Sequence, residues 1–298
     1  MPSLRQIKTK ISSVTGTRRI MSAMKLISAV KLQRVQGMLL SSRPYSDSFK
    51  EVAEGIASRC ERKWHPLLRK SENGGSLHVV FMTSDRGLCG SFNSSLIRKV
   101  ETFLVTDGSK YDDVTFRFVG RRGRDHFLRN GVKMVDSHTG LTDRTYSEVS
   151  KAISDALIEE YSRGDMDEVL VVYNYFISAL NQVITFEKLL PVEPSQGVPD
   201  DGGEGARLID YIYEPDRVGV LDAVLPEYVK ARIDRAIFET VTSEHAARMA
   251  AMDNATRNAD TVVNGLTLLY NKTRQAYITT ELMDIVNGTE ALRKGGAE

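Results

Sequence analysis

Cysteine is almost missing from this chain of 298 residues: Cys60 and Cys89 are the only two. Their separation fits no C-x-x-C spacing, which excludes a disulfide scaffold and a zinc ribbon and is compatible with a reducing compartment. Long apolar runs are missing too. Stretches such as Val79-Val80-Phe81-Met82 fall far short of the roughly 18 residues that a membrane-crossing helix needs. Aromatics make up 7 % of the chain and none precedes Tyr45, so the N-terminal segment offers no rings for stacking on single-stranded nucleic acid. Histidines 65, 78, 126, 138 and 245 are scattered, with no H-E-x-x-H or His/Cys cluster to hold a metal. A G-x-S-x-G elbow is lacking, and Cys89 has no evident histidine partner. Catalysis is not announced anywhere.

Acid is scarce in one place only. Residues 1–50 hold ten basic side chains against a single acid, Asp47, a net +9 that leaves −8 for the remainder of a chain whose total is +1. Such a start faces something negative: an acidic protein surface, a nucleic acid or, as an Arg-rich amphipathic leader, an organellar import machinery.

What is present is periodicity. Leu4, Ile7, Ile11 and Val14, then Met21, Met24, Ile27 and Val30, then Val35, Met38 and Leu39 recur in steps of three and four, which predicts an amphipathic helix. Ser3 is its N-cap, and a break or kink is expected near Pro44, with resumption from Phe49 to Cys60. Strand signals follow at Leu77–Thr83, Val114–Val119 and Glu168–Phe176, with helices from Ser94 to Val105, from Gly120 through Arg129 and from Tyr146 to Ser162. That alternation predicts a parallel-rich α/β layer. Gln182–Leu190 follows the last strand too closely for a helical crossover, so an antiparallel edge pair is expected. Residues 193–206, EPSQGVPDDGGEGA, read as a mobile loop.

The C-terminal segment carries the longest register. From Val241 it steps by four and three through His245, Arg248, Met252, Ala255, Ala259, Val262, Leu266, Leu269, Thr273, Ala276, Thr280 and Met283. Many seam residues are small, which suits close approach of a partner helix. Pro226 is expected in its first turn and Gly288 just past its end. Two helical arms flanking an α/β insert predict that the termini pair as an antiparallel coiled coil, which exposes much surface and invites a sheath of partners. The loop at 84–93 leads from strand to helix, but Gly87 and Gly90 give only G-x-x-G, short of a dinucleotide fingerprint or a P-loop.

Several segments together resemble one family, the gamma subunit of F-type ATP synthase. They are IKTKISSVTGTRRIMSAMKLISAVKL at 7–32, SDRGLCGSFN at 84–93, DYIYEPD at 210–216, EHAARMAAMDNATRNA at 244–259 and YNKTRQAYITTELMDIVNG at 270–288. Ser91 stands where a second glycine is usual and Thr289 where alanine usually follows Gly288; both are small departures. The resemblance implies α/β plus long helices: an antiparallel coiled coil of the N- and C-terminal helices with an inserted Rossmann-like α/β domain. The divisions are 1–60 (N-terminal shaft helix), 61–220 (globular foot) and 221–298 (C-terminal shaft helix). It implies a rotor that couples a proton-driven c-ring to the catalytic beta subunits, with no catalytic residue, cofactor or metal of its own. The implied partners are the alpha, beta and epsilon subunits and the c-ring, with no nucleic acid and membrane association only through the complex.

By the same resemblance Arg248, Gln275, Thr279 and Glu281 match positions that engage beta, and Met24, Lys25 and Cys89 match positions near an acidic loop of beta. Tyr211 and Glu214 match foot residues near the c-ring and epsilon. The residues themselves leave alternatives open. Arg248 on the seam is either bonded to offset its desolvation or snorkelling; Met24 either fills a gap in the coiled coil or touches a partner; and Cys89 reads as an ordinary small buried residue rather than a reactive thiol. Because the basic start is itself shaft sequence, the import-leader reading gives way. The expected location is the cytoplasmic face of a bacterial plasma membrane, in preference to the mitochondrial inner membrane. An α/β nucleotide-binding enzyme with helical extensions is the competing reading.

Overall fold

The chain is described by a computed structural model over residues 3–70, 75–193, 211, 213, 214 and 216–295, with side chains as far as 289. Helix α1 spans Leu4–Ala57. It opens on a reciprocal cap: the Gln6 N–H donates to Ser3 Oγ at 3.3 Å and the Ser3 N–H to Gln6 Oε1 at 3.0 Å, so two otherwise orphaned donors are satisfied.

Pro44 does not interrupt α1, contrary to the expected break. Proline removes one intrahelical bond, the one to the Leu40 carbonyl, on the exposed side of the helix, where water can take its place. Leu39, Ser46 and Ala53 are buried on the other side, and Arg43 and Ser46 are hydrogen bonded to neighbouring elements. Tertiary packing on both sides of Pro44 therefore holds the helix through it.

Buried and half-buried positions of α1 recur at 7, 11, 14, 21, 25, 28, 32, 35, 39, 42, 46, 49, 53 and 56, a heptad register flanked by further half-buried residues such as Met24, Met38 and Arg43. Ile27 and Val30, taken from their hydrophobicity as core-facing, are instead 58 % and 68 % exposed, and Ser28 and Leu32 are buried in their place.

Strand β1 (Ser76–Met82) is followed by α2 (Phe92–Thr106), β2 (Asp113–Val119), α3 (Arg121–Arg129), β3 (Lys133–His138), α4 (Tyr146–Arg163), β4 (Glu168–Phe176) and β5 (Gln182–Leu190). The sheet order is β3-β2-β1-β4-β5. The first four strands are mutually parallel, and β5 pairs antiparallel with β4 at the edge, as its short connection requires. β3 escaped the sequence reading. It is an edge strand whose first four residues are exposed, so it has no apolar run to betray it.

Reversal of strand order after β3 sends α4 to the opposite face from α2 and α3. On one face Leu77, Val79, Phe81, Phe116 and Phe118 pack with Leu96, Val100 and Phe127. On the other, Val80, Met82, Val171 and Tyr173 pack with Ile153 and Leu157 of α4, with Ala53 and Ile56 of α1, and with a row from Leu221 to Val241. That row belongs to α5, Arg217–Gly295.

Both ends of α5 differ from expectation. Pro226 lies inside the helix rather than in its first turn, and Gly288 lies within it rather than beyond it. Leu221 and Leu225 before the proline, and Tyr228 and Val229 after it, are all buried, which fixes the helix across the lost bond. The segment at 194–206 falls outside the described residues.

The chain divides into two compact units, Met1–Ile27 with Ala251–Glu298, and Ser28–Ala250. In the first, α1 and α5 run antiparallel: Lys25 pairs with Asp253 at 2.6 Å, and seven residues away Arg18 pairs with Asp260 at 2.5 Å. The same step carried two heptads further sets Leu4 opposite Arg274, where α1 has run out. Every residue from 274 to 289 is exposed. Among the described residues, the seam read from the sequence therefore has no intrachain partner at Ala276, Thr280 and Met283. Val262 and Leu269 are also exposed, with Val263 and Tyr270 turned inward instead.

Candidate partner-contact site

In doubly wound sheets ligands lie beyond the carboxyl ends of the strands at the point where strand order reverses. Here that point lies between β1 and β4, and the loop at 84–93 leaves it. The crevice is filled by the protein itself. Thr240 of α5 approaches Met82 Sδ at 3.8 Å, Ser243 Oγ donates to the Asn174 carbonyl at 3.1 Å, and Glu239 accepts from the Phe176 N–H at 2.8 Å. α5 thus closes the end of the sheet where a nucleotide-binding fold keeps its ligand.

The loop is braced from within. Asp85 accepts from the Arg121 N–H at 3.0 Å and from the Gly140 N–H at 2.8 Å. Ser84 donates to the Arg86 carbonyl at 2.7 Å, while Asn93 Nδ2 donates to Ser84 Oγ at 2.7 Å and to Cys89 Sγ at 3.2 Å. Gly120, at φ +94, lets the neighbouring turn close in: a Cβ there would sit 2.1 Å from the Thr83 carbonyl oxygen, which only glycine avoids.

Arg248 arrives from α5. Its Nη2 donates to Glu244 at 2.7 Å and to the carbonyls of Arg86 and Gly87, each at 3.3 Å; Nε reaches the Gly87 carbonyl at 3.4 Å and Nη1 reaches His245 Nδ1 at 3.4 Å. The residue is buried, so of the two readings left open its hydrogen bonds decide for bonding over snorkelling. Burial, opposed by Arg248, raises the Glu244 carboxyl above its ordinary value, and burial together with Arg248 lowers His245 to about 4. Cys89 is buried, and desolvation raises its thiol pKa. The sequence reading of an unreactive small residue fits both facts.

The other matched residues lie elsewhere. Lys25 is half-buried and held by Asp253, which also binds Arg257 at 2.6 Å; Met24 beside it is half-buried. Gln275, Thr279 and Glu281 are exposed on the unpaired end of α5. Tyr211 lies under the Arg59 guanidinium, 4.3 Å from ring centroid to charge, and Glu214 is exposed.

Sequence reasoning missed a buried polar belt. Glu239, wholly buried, accepts from Arg43 Nε and Nη2, both at 2.9 Å, and Arg43 also donates to the Phe176 carbonyl at 2.6 Å. Asp47 pairs with Arg235, and Glu187 with Arg232 and Tyr173. The available signal was spacing: Arg43 and Asp47, four apart on α1, answer Glu239 and Arg235, four apart on α5. A cavity of about 700 Å³ adjoins this belt, lined among others by Tyr173, Tyr228, Glu187, Arg232 and Arg235. Arg232, Arg235 and Glu187 are already paired to one another or to neighbours, which leaves little charge to recognise a substrate.

A family model described as ATP synthase matches residues 3–292. A relative named ATP synthase gamma chain from Anaeromyxobacter sp. (strain Fw109-5) is 42 % identical over 296 residues, covering 98 % of this chain and all of the relative. The chain belongs to the ATP synthase gamma chain family. A second gamma chain, from Geobacter sp. (strain M21), is 41 % identical with the same coverage. Among solved structures the fold matches a chain of the Euglena gracilis mitochondrial ATP synthase, described as OSCP/F1/c-ring, with TM-score 0.72, 18 % identity and coverage of 99 % and 96 % of the two chains. It also matches a central stalk/c-ring chain from Tetrahymena thermophila at TM-score 0.58, 22 % identity and coverage of 79 % and 99 %. Long terminal helices around a mixed α/β sheet are thus the architecture of the family.

Proposed function

We propose that this chain is the rotor shaft of a bacterial F-type ATP synthase, on the cytoplasmic face of the plasma membrane. In this reading its α/β region is turned by a proton-driven c-ring with the epsilon subunit alongside. The paired ends of α1 and α5 turn within three alternating alpha and beta subunits, which carry all the catalytic sites; the chain has no catalytic residue of its own. The division at residues 60 and 220 then separates shaft from foot.

One observation carries the reading. The end of α5 exposes Tyr277, Ile278, Leu282, Met283, Ile285 and Val286 by 46 % to 58 % each, large apolar side chains distributed around the helix that, among the described residues, nothing of α1 covers. Large apolar side chains exposed in this number on one helical segment mark a partner interface. Gln275, Thr279 and Glu281 stand among these residues as polar contacts for beta, and Lys25 and the basic start of α1 supply charge for its acidic loop. Tyr211 and Glu214 take the c-ring and epsilon side. Exposed charge pairs are individually weak, about 0 to 1 kcal/mol, so a shaft held this way can leave one angle for the next. Coupling requires that its contacts differ among beta conformations, since an equilibrium shifts only through differential affinity.

Reconstitution with cognate alpha and beta subunits tests this. The expected product is a complex of three alpha, three beta and one of this chain, with ATP hydrolysis that depends on the chain. Failure of well-folded partners to assemble with it would return the α/β enzyme reading.

A further inference from the structure

Leu88 is a doubly unfavourable residue. Its φ of 63° is positive, which a branched side chain tolerates poorly, and its side chain is 62 % exposed. Such a conformation persists only where the surroundings over-determine it. Next to it Cys89 is 2 % exposed, although Cys89 is the residue that the family resemblance sets toward beta. The chain reversal at 87–90, with Gly90 also at positive φ, turns the thiol inward and the leucine outward.

Besides the internal bracing by Ser84, Asp85 and Asn93, Arg248 of α5 grips the start of this reversal from outside the loop. Its guanidinium spans the carbonyls of Arg86 and Gly87, the two residues before Leu88, and is itself fixed by Glu244. A planar fork of donors suits this task, because it holds adjacent acceptors in a defined relative orientation. Its charge is turned away from solvent, toward the loop and Glu244.

We propose that Arg248 is a positioning residue that acts inward, clasping the 84–93 loop so that Leu88 and Arg86 are presented to the partner while Cys89 is kept inside. The contact with the partner is made by Leu88, with the exposed Arg86 beside it, and the effect of Arg248 on coupling passes through the loop. The coupling consequence rests on the rotor reading; the clasp itself does not.

The experiment measures alkylation of Cys89 by iodoacetamide in the full-length chain, with buried Cys60 as the internal reference for global unfolding. Arg248→Ala and Arg248→Lys are expected to raise the Cys89 rate by about tenfold or more, the local opening that follows loss of charged hydrogen bonds, with Cys60 unchanged. Leu88→Ala leaves Cys89 protected, yet in the reconstituted complex it lowers rotor-dependent hydrolysis as Arg248→Ala does. Unchanged protection of Cys89 in both Arg248 variants overturns the clasp. Loss of hydrolysis in Arg248→Ala but not in Leu88→Ala shows that Arg248 meets the partner directly and overturns the proposal. Should Arg248→Ala expose both cysteines, Glu244→Gln decides: Cys89 reacting ahead of Cys60 supports the clasp and any other pattern overturns it. A wild-type chain that fails to assemble overturns the rotor reading while leaving the thiol result standing.

Discussion

Glu239 shows how much one side chain can carry. It is wholly buried and neutralises Arg43, whose pKa is raised chiefly by that hydrogen bond. Replacing Glu239 with Ala leaves Arg43 without its bidentate partner and the Phe176 N–H without an acceptor. Breaking a buried pair from one side costs about 3–5 kcal/mol, so the urea midpoint of Glu239→Ala should fall by a corresponding amount. His78 gives a pH signature. It is fully buried, with Nδ1 2.8 Å from Thr115 Oγ1, and burial together with Arg117 lowers its pKa from 6.5 to about 3. Below pH 6.5 the unfolded chain binds a proton that the folded chain refuses until about pH 3, so this contribution is complete above pH 6.5 and is lost as pH falls through that window. His78→Asn should flatten the dependence; equal slopes of unfolding free energy against pH for variant and wild type would refute it. Neither residue was recognisable in advance, because a glutamate in a helix and a histidine in a strand acquire these roles only from what is packed over them.

At the scale of the element, long helices were the most legible part and their ends the least. Steps of three and four identified α1 and α5, yet Pro44 and Pro226 lie inside them, since buried residues on both sides offset the missing bond. Hydrophobicity found most of the buried face of α1 but misplaced it locally: polar Lys25, Ser28 and Ser46 lie on the seam and Ile27 and Val30 outside it. The end of α5 makes a prediction of its own. Among the described residues, truncation after Tyr270 removes exposed side chains and half-buried Thr273, so thermal unfolding of the isolated chain should change by a few degrees at most, while rotor-dependent hydrolysis in the reconstituted complex is lost. A truncated chain that supports full ATP synthesis would remove α5's end from the mechanism. β4 and β5 were read to the residue because β4 is a buried apolar run and β5 follows it too closely for a crossover and is itself rich in apolar residues, whereas β3, whose first four residues are exposed, had no such signal.

For the whole molecule, the same α5 that closes the crevice beyond β1 and β4 also reaches the 84–93 loop through Arg248. A fold that elsewhere holds nucleotides here spends its ligand position on one of its own helices. The sequence alone determined the helix–sheet alternation, the antiparallel edge pair, the basic start and the family, because local periodicity and motif spacing are written in adjacent residues. It could not decide which seam residues find a partner, which way the 84–93 loop turns its leucine and cysteine, or that Arg248 works inward. Those outcomes depend on residues more than a hundred positions apart meeting through burial and hydrogen bonding, and only the packed tertiary structure brings them together.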